Sequence, residues 1–138
     1  MIFTRELYLN QLIQKKQNGM VKIITGLRRC GKSFLLFNLF YNKLISQGVP
    51  ESHIIKIPLD NLDFIELRDK ISLYKFIKSK ITDNQQYYCF LDEIQLVRGF
   101  EEVLNSLLHI QNIDVYVTGS NSRFLVKDVI TEFRGRGD

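Results

Sequence analysis

The sequence predicts an α/β fold of three layers, a parallel sheet with helices on both faces. Three observations carry this. Short β-branched or apolar runs read as strands, the segments between them carry apolar residues at helical spacing, and the two kinds alternate along the chain. The 138 residues are enough for one domain with a substantial core and short for two. A single domain is therefore expected over 1–138, with an N-terminal helical segment at 1–19 and the core at 20–138.

Residues 5–16 read as a helix with Leu7, Tyr8, Leu12 and Ile13 on its apolar face, followed by an Asn18-Gly19 turn. Met20-Val-Lys-Ile-Ile24 is β-branched and suits a buried first strand. A helix is expected from Lys32 to Gln47, stopped by Gly48 and Pro50. His53-Ile-Ile-Lys-Ile57 reads as the second strand, ended by Pro58, and the polar Asp60-Asn-Leu-Asp63 leads to a helix over 67–82. There Leu67, Ile71, Tyr74, Ile77 and Ile81 recur at helical spacing. Tyr87-Tyr-Cys-Phe-Leu91 has no charged residue and is expected to be a third strand buried on both faces. After Gly99, the residues Phe100, Val103, Leu104, Leu107 and Leu108 make an apolar helical stripe. Asp114-Val-Tyr-Val-Thr118 reads as the fourth strand, and 122–133 as a last helix.

Composition narrows the class. Hydrophobic residues make up 45% and charged residues 25%, as in ordinary soluble domains. A net charge of +4 is a normal surface balance, so nucleic acid is not indicated as a partner. No window approaches the roughly 20 apolar residues of a membrane span, and Met1-Ile-Phe-Thr-Arg-Glu6 lacks the layout of a secretion signal. Cys30 and Cys89 form neither a disulfide framework nor a metal-ligand spacing. A reducing, cytoplasmic setting is expected.

The segment Gly26-Leu-Arg-Arg-Cys-Gly31-Lys32-Ser33 fits G-x-x-x-x-G-K-[ST], the phosphate-binding (Walker A) loop of nucleotide triphosphatases. Gly26 and Gly31 let the backbone curl until successive N–H groups point at phosphate oxygens. Lys32 brings positive charge to the β- and γ-phosphates, the Ser33 hydroxyl can ligate Mg²⁺, and a helix starting here adds its dipole. The expected nucleotide-binding residues are thus Gly26, Leu27, Arg28, Arg29, Cys30, Gly31, Lys32, Ser33 and Phe34, with Lys32 also serving catalysis. The side chains of Arg28 and Arg29 are expected to point outward into solvent.

Phosphate binding alone does not hydrolyse. The third strand runs into Asp92-Glu93, and carboxylates at the C-terminal end of a parallel strand leave the sheet beside the ligand crevice. Asp92 is expected to hold Mg²⁺ (the Walker B position) and Glu93 to orient and deprotonate the attacking water. A glutamate directly after the metal aspartate marks the class with a strand inserted between the phosphate-loop and acidic strands, which gives the sheet order 2-3-4-1. Small kinases and GTPases generally lack that glutamate, and no G-specific N-K-x-D occurs. The inserted strand ends in Thr118-Gly-Ser-Asn-Ser122, where Ser120 and Asn121 can sense the γ-phosphate, cap the next helix, or do both. Arg134 and Arg136 have two readings, an arginine finger for a neighbouring subunit or a charged tail. His53 and His109 have no partner pattern and read as structural, and the lysines over 67–82 as a solvated face.

Together, Ile23-Ile-Thr-Gly-Leu-Arg-Arg-Cys-Gly-Lys-Ser33, Leu91-Asp-Glu-Ile-Gln95 and Thr118-Gly-Ser-Asn-Ser122 resemble the AAA-type P-loop ATPases of bacteria and archaea. The subgroup is the one with G-x-R-R-x-G-K-S and D-E-I-Q boxes, usually followed by a further C-terminal domain. Arg5-Glu-Leu-Tyr-Leu-Asn-Gln-Leu12 looks like its opening helix. The resemblance implies ATP and Mg²⁺ as ligands, ATP hydrolysis, and partners in a homo-oligomer or the C-terminal domain. It also suggests Gln95 near the active site, an exposed loop glutamine being the equal alternative. Gly135-Arg136 begins the family's Gly-Arg-aromatic triplet, but Gly137 stands where the aromatic belongs. The chain is accordingly expected to be the front of a longer protein, its fifth strand and lid absent, the first strand an open edge and turnover slow. A nucleotide-gated regulatory or DNA-associated module with little turnover is the competing expectation.

Overall fold

The computed structural model describes residues 9–10, 13–14, 16, 20–24, 35–119 and, for the backbone, 130–133. The expected phosphate loop (Gly26–Phe34, with Lys32 and Ser33), Ser120, Asn121, Arg134 and Arg136 lie outside the described residues.

Four strands form a parallel sheet: β1 (Val21–Ile24), β2 (Ile54–Pro58), β3 (Tyr87–Asp92) and β4 (Ile113–Thr118). Their order β2-β3-β4-β1 is the one the Asp-Glu pair predicts. Every residue of β3 is buried, as its uncharged sequence requires of a central strand.

The edge beyond β1 departs from expectation. A fifth strand, β5 (Ile130–Phe133), runs antiparallel to β1 with Val21 opposite Phe133 and Ile24 opposite Ile130. The expected absence of a fifth strand, the open edge on β1 and a helix reaching residue 133 are therefore all overturned. Two physical reasons apply. Ile-Thr-Glu-Phe carries β-branched and aromatic residues that favour a pleated strand. The outer edge of β1 also offers a row of backbone donors and acceptors that need partners. An antiparallel strand can be reached from the top of β4 without the long crossover that a parallel one needs.

Helices cover both faces. On one side, Leu35–Phe40, with π-helical geometry, continues into α1 (Tyr41–Ser46). Leu35, Leu36, Phe40 and Leu44 are fully buried there against Ile24, Tyr88, Phe90 and Tyr116. Leu9 and Ile13, in a helical stretch of the N-terminal segment, pack onto this core. On the other side lie α2 (Lys70–Lys80) and α3 (Phe100–Leu107). The α3 stripe is buried as predicted at Phe100, Val103, Leu104 and Leu107.

The α2 prediction needs two corrections. The helix starts at Lys70, because Leu62–Arg68 forms 3₁₀ turns and Asp69 caps α2 by accepting a 2.9 Å hydrogen bond from the Ser72 N–H. Its buried residues are Leu73 and Ile77, whereas Ile71 is 53% exposed. A start near residue 67 sets the wrong helical phase for the first turn. Among the described residues no helix is long and apolar enough to cross a membrane.

Candidate functional site

The site lies at the C-terminal end of the sheet. There β4 sits between β3 and β1, with Leu91 beside Val117 and Ile24 beside Thr118. The order places Thr118 between the acidic end of β3 and the last residue of β1, after which the phosphate-loop sequence begins. The Gly119 N–H donates to the Ile24 carbonyl at 3.3 Å, holding these two strand ends together.

Strand alternation puts Asp92 and Thr118 on the same face as Phe90 and Tyr116, the face under α1. The Thr118 hydroxyl bridges the acidic pair. It donates to Asp92 Oδ1 at 2.5 Å and accepts the Glu93 backbone N–H at 2.9 Å. One side chain thus fixes the Asp92 carboxylate and the backbone of the next residue. Asp92 is 3% exposed, and its carbonyl accepts the Leu59 N–H at 3.1 Å, extending the β2–β3 pairing past Pro58.

Glu93 leaves the strand through a left-handed turn, φ 60° and ψ 55°, the one positive φ at a non-glycine among the described residues. That conformation brings Cβ close to the carbonyl and costs about 1–2 kcal/mol. It is held from both sides: the N–H is tied to Thr118, while Ile94 and Val97 of the following 3₁₀ turn are fully buried. The side chain does not reach bulk solvent, the residue being 4% exposed. Its Oε1 accepts a 2.7 Å hydrogen bond from Gln95 Nε2. Glu93 Oε2 and Gln95 Oε1 are buried with no hydrogen-bond partner.

Chemically, this corner offers hard oxygen atoms at the end of a parallel strand. One or two carboxylates completed by phosphate oxygens suit Mg²⁺, which rarely uses an all-protein cage. Among the described residues no group of three or more His, Cys, Asp or Glu gathers. Cys89 is no competitor, since full burial pushes its thiol well above the ordinary range.

Asp92, Glu93 and Gln95 thus stand together, and Gln95 is half-buried against Glu93 rather than an exposed loop residue. His53 stacks on Tyr87 and pairs with Asp83, and His109 meets the Asn105 carbonyl, both away from this corner. Sequence reasoning passed over Thr118. Its signal was present: a hydroxyl ending the apolar run Val115-Tyr-Val117, at the same end of its strand as Asp92 is of β3.

A family model described as AAA domain matches residues 18–138. An uncharacterized protein of Haemophilus influenzae is 34% identical over 136 residues, covering 98% of this chain and 34% of the relative. An uncharacterized protein of Methanocaldococcus jannaschii is 32% identical over 120 residues, covering 84% of this chain and 24% of the relative. The chain therefore spans about a third of the length of one relative and about a quarter of the other. No solved structure matches significantly. With the family model covering most of its length, the chain belongs to the AAA domain family.

Proposed function

We propose that this chain binds ATP with Mg²⁺ through Gly26–Phe34 and hydrolyses it, with Glu93 as the general base. The observation that carries the reading is the convergence of Asp92, Glu93 and Thr118 at one sheet corner, next to Ile24 at the entry to the loop. Lys32 and the loop N–H groups hold the phosphates. Ser33 and Asp92 supply oxygens for the ion, which when bound offsets charge on the phosphate oxygens. Glu93 takes a proton from water as the water oxygen bonds to the γ-phosphorus. The bond from that phosphorus to the bridging oxygen breaks, and ADP leaves with the electron pair. Thr118 keeps the two carboxylate residues in fixed relation, and the sensing of the γ-phosphate is assigned to Ser120 and Asn121, which follow Thr118 and Gly119 in the sequence.

The test is a pair of variants. Glu93→Gln should retain ATP binding and lose hydrolysis, while Lys32→Ala should weaken binding itself. Normal hydrolysis by Glu93→Gln removes the base assignment.

A second reading has one observation in its favour, the burial of Glu93 with Oε2 out of solvent contact. A base so enclosed suits a nucleotide-gated module that retains ATP and turns over little. Negligible turnover by the full-length protein, with an output that differs between ADP and ATP, would select this reading.

A further inference from the structure

The hydrogen bond between Gln95 and Glu93 has a consequence for how the base is presented. Glu93 carries two carboxylate oxygens, and Gln95 Nε2 occupies Oε1 at 2.7 Å. Oε2 is the oxygen left without a partner. The two residues lie on one 3₁₀ turn whose backbone is fixed at both ends. The Leu96 N–H donates to the Glu93 carbonyl at 3.1 Å, and the Val97 N–H to the Ile94 carbonyl at 3.0 Å. The amide therefore approaches the carboxylate from a rigid support. Without it, the carboxylate of a residue in a left-handed turn would rotate freely about its terminal torsion, which has broad, roughly two-fold preferences.

We infer that Gln95 is a positioning residue for the general base. Its amide holds Glu93 by Oε1, so that Oε2 is the atom that receives the proton of the attacking water. This rests on Glu93 being the base, and the geometry adds which oxygen acts and what holds it. Outer partners that orient a reacting group typically matter by about 10–100-fold in activity when removed.

The experiment measures steady-state ATP turnover and nucleotide Kd for six proteins: wild type, Gln95→Met, Gln95→Glu, Glu93→Gln, the Gln95→Met/Glu93→Gln double variant and Lys32→Ala. Met keeps the length and bulk of Gln and removes the amide. Gln95→Glu serves as a second variant, keeping the shape while replacing the donor with a like charge. Expected are a fall in kcat of about tenfold or more for Gln95→Met, with Kd unchanged, and at least as large a fall for Gln95→Glu. Because Gln95 acts through Glu93, Gln95→Met should cause no additional loss in the Glu93→Gln background.

Turnover by Gln95→Met equal to or faster than wild type overturns the inference and leaves the base assignment standing. A further independent loss in the Glu93→Gln background also overturns it. Loss of ATP binding in both Gln95 variants would make the residue structural and overturns it too. Normal turnover by Glu93→Gln, or no turnover by the wild type above Lys32→Ala, brings down the base assignment and this inference with it.

Discussion

Two buried polar clusters share one face of the sheet, at opposite ends of β4, and they are built on opposite principles. At the start of the strand, Lys22 Nζ meets Asp114 Oδ1 at 2.5 Å and Tyr116 Oη donates to Asp114 Oδ2 at 2.8 Å. The Lys22 ammonium also lies 4.8 Å from the centre of the Tyr116 ring. Burial first, then Asp114, push the Tyr116 phenol far above its ordinary range, so it remains a donor. No side-chain atom of this cluster is buried without a partner. At the end of the strand, Asp92, Thr118, Glu93 and Gln95 form a network on a left-handed backbone with two bare acceptors. A saturated cluster has nothing left to offer a ligand and serves the fold. The unsaturated, strained one costs stability, which is tolerated where chemistry requires it.

The largest expected effect comes from opening the saturated cluster. Asp114→Ala removes the carboxylate that meets the fully buried Lys22 ammonium and accepts from the Tyr116 hydroxyl. Loss of about 3–5 kcal/mol is expected for breaking such a pair from one side, read as a lower midpoint in urea unfolding. Replacing the whole cluster, with Lys22→Met, Asp114→Leu and Tyr116→Phe together, should recover most of that loss, since apolar residues fill the space without buried charge. If the triple variant is as unstable as Asp114→Ala, the cluster contributes more than mutual neutralisation. The comparison would then have to include a role for the ion pair in fixing the Lys22–Tyr116 register of β1 on β4.

Next in size is the bridge of the unsaturated cluster. Thr118→Val keeps shape and β-branching but removes the hydroxyl, leaving the Glu93 N–H without its acceptor and Asp92 Oδ1 without this donor. A cost of about 1–3 kcal/mol is expected. The same substitution should reduce turnover more than it reduces ATP binding, because it frees the acidic pair and leaves the phosphate loop intact. A stability loss with unchanged turnover would move Thr118 into the structural class and blur the contrast.

The two clusters also differed in how far the sequence disclosed them. The sheet order was legible because Asp92 and Glu93 follow an uncharged strand and the phosphate-loop pattern follows a β-branched one. Lys22 and Asp114 were not legible as a pair. They are 92 positions apart, and a lysine inside Val-Lys-Ile-Ile reads locally as an ordinary polar interruption. Only the β1–β4 register brings them together. Gln95 has two sequence readings because a 3₁₀ turn folding back onto Glu93 depends on one backbone angle that residue type does not specify. The fifth strand is hidden in the sequence for the same kind of reason. Residues 130–133 suit a helix end or a strand, and what decides is the edge of β1, a feature of the assembled sheet.

A smaller effect, of opposite sign, comes from releasing the strain. Glu93→Gly removes the Cβ that makes φ 60° unfavourable and removes a buried carboxylate oxygen with no partner. Relief of about 1–2 kcal/mol is set against the greater chain entropy of glycine, roughly 0.5–1 kcal/mol. The expected outcome is a protein about 1 kcal/mol more stable in urea unfolding and without ATP turnover. A destabilised Glu93→Gly would mean that the side chain's hydrogen bond to Gln95 outweighs the strain.

The smallest effect calibrates both clusters against a carboxylate left in water. Asp69 caps α2 from the surface, and its hydrogen bonds with Ser72, the backbone N–H foremost, hold its carboxyl below the ordinary value of 3.8. A lowered folded-state pKa means that the ionised form is the one the fold favours. The contribution is therefore complete above the unfolded value and fades as pH falls through the folded one. Asp69→Ala should lower the unfolding midpoint modestly at neutral pH, and the gap to wild type should close as the solution is acidified below 3.8. The effect should be smaller than for either buried cluster, because water can replace an exposed cap but cannot reach Lys22 or Glu93. A midpoint loss from Asp69→Ala as large as that from Thr118→Val would mean that burial is not what separates these carboxylates.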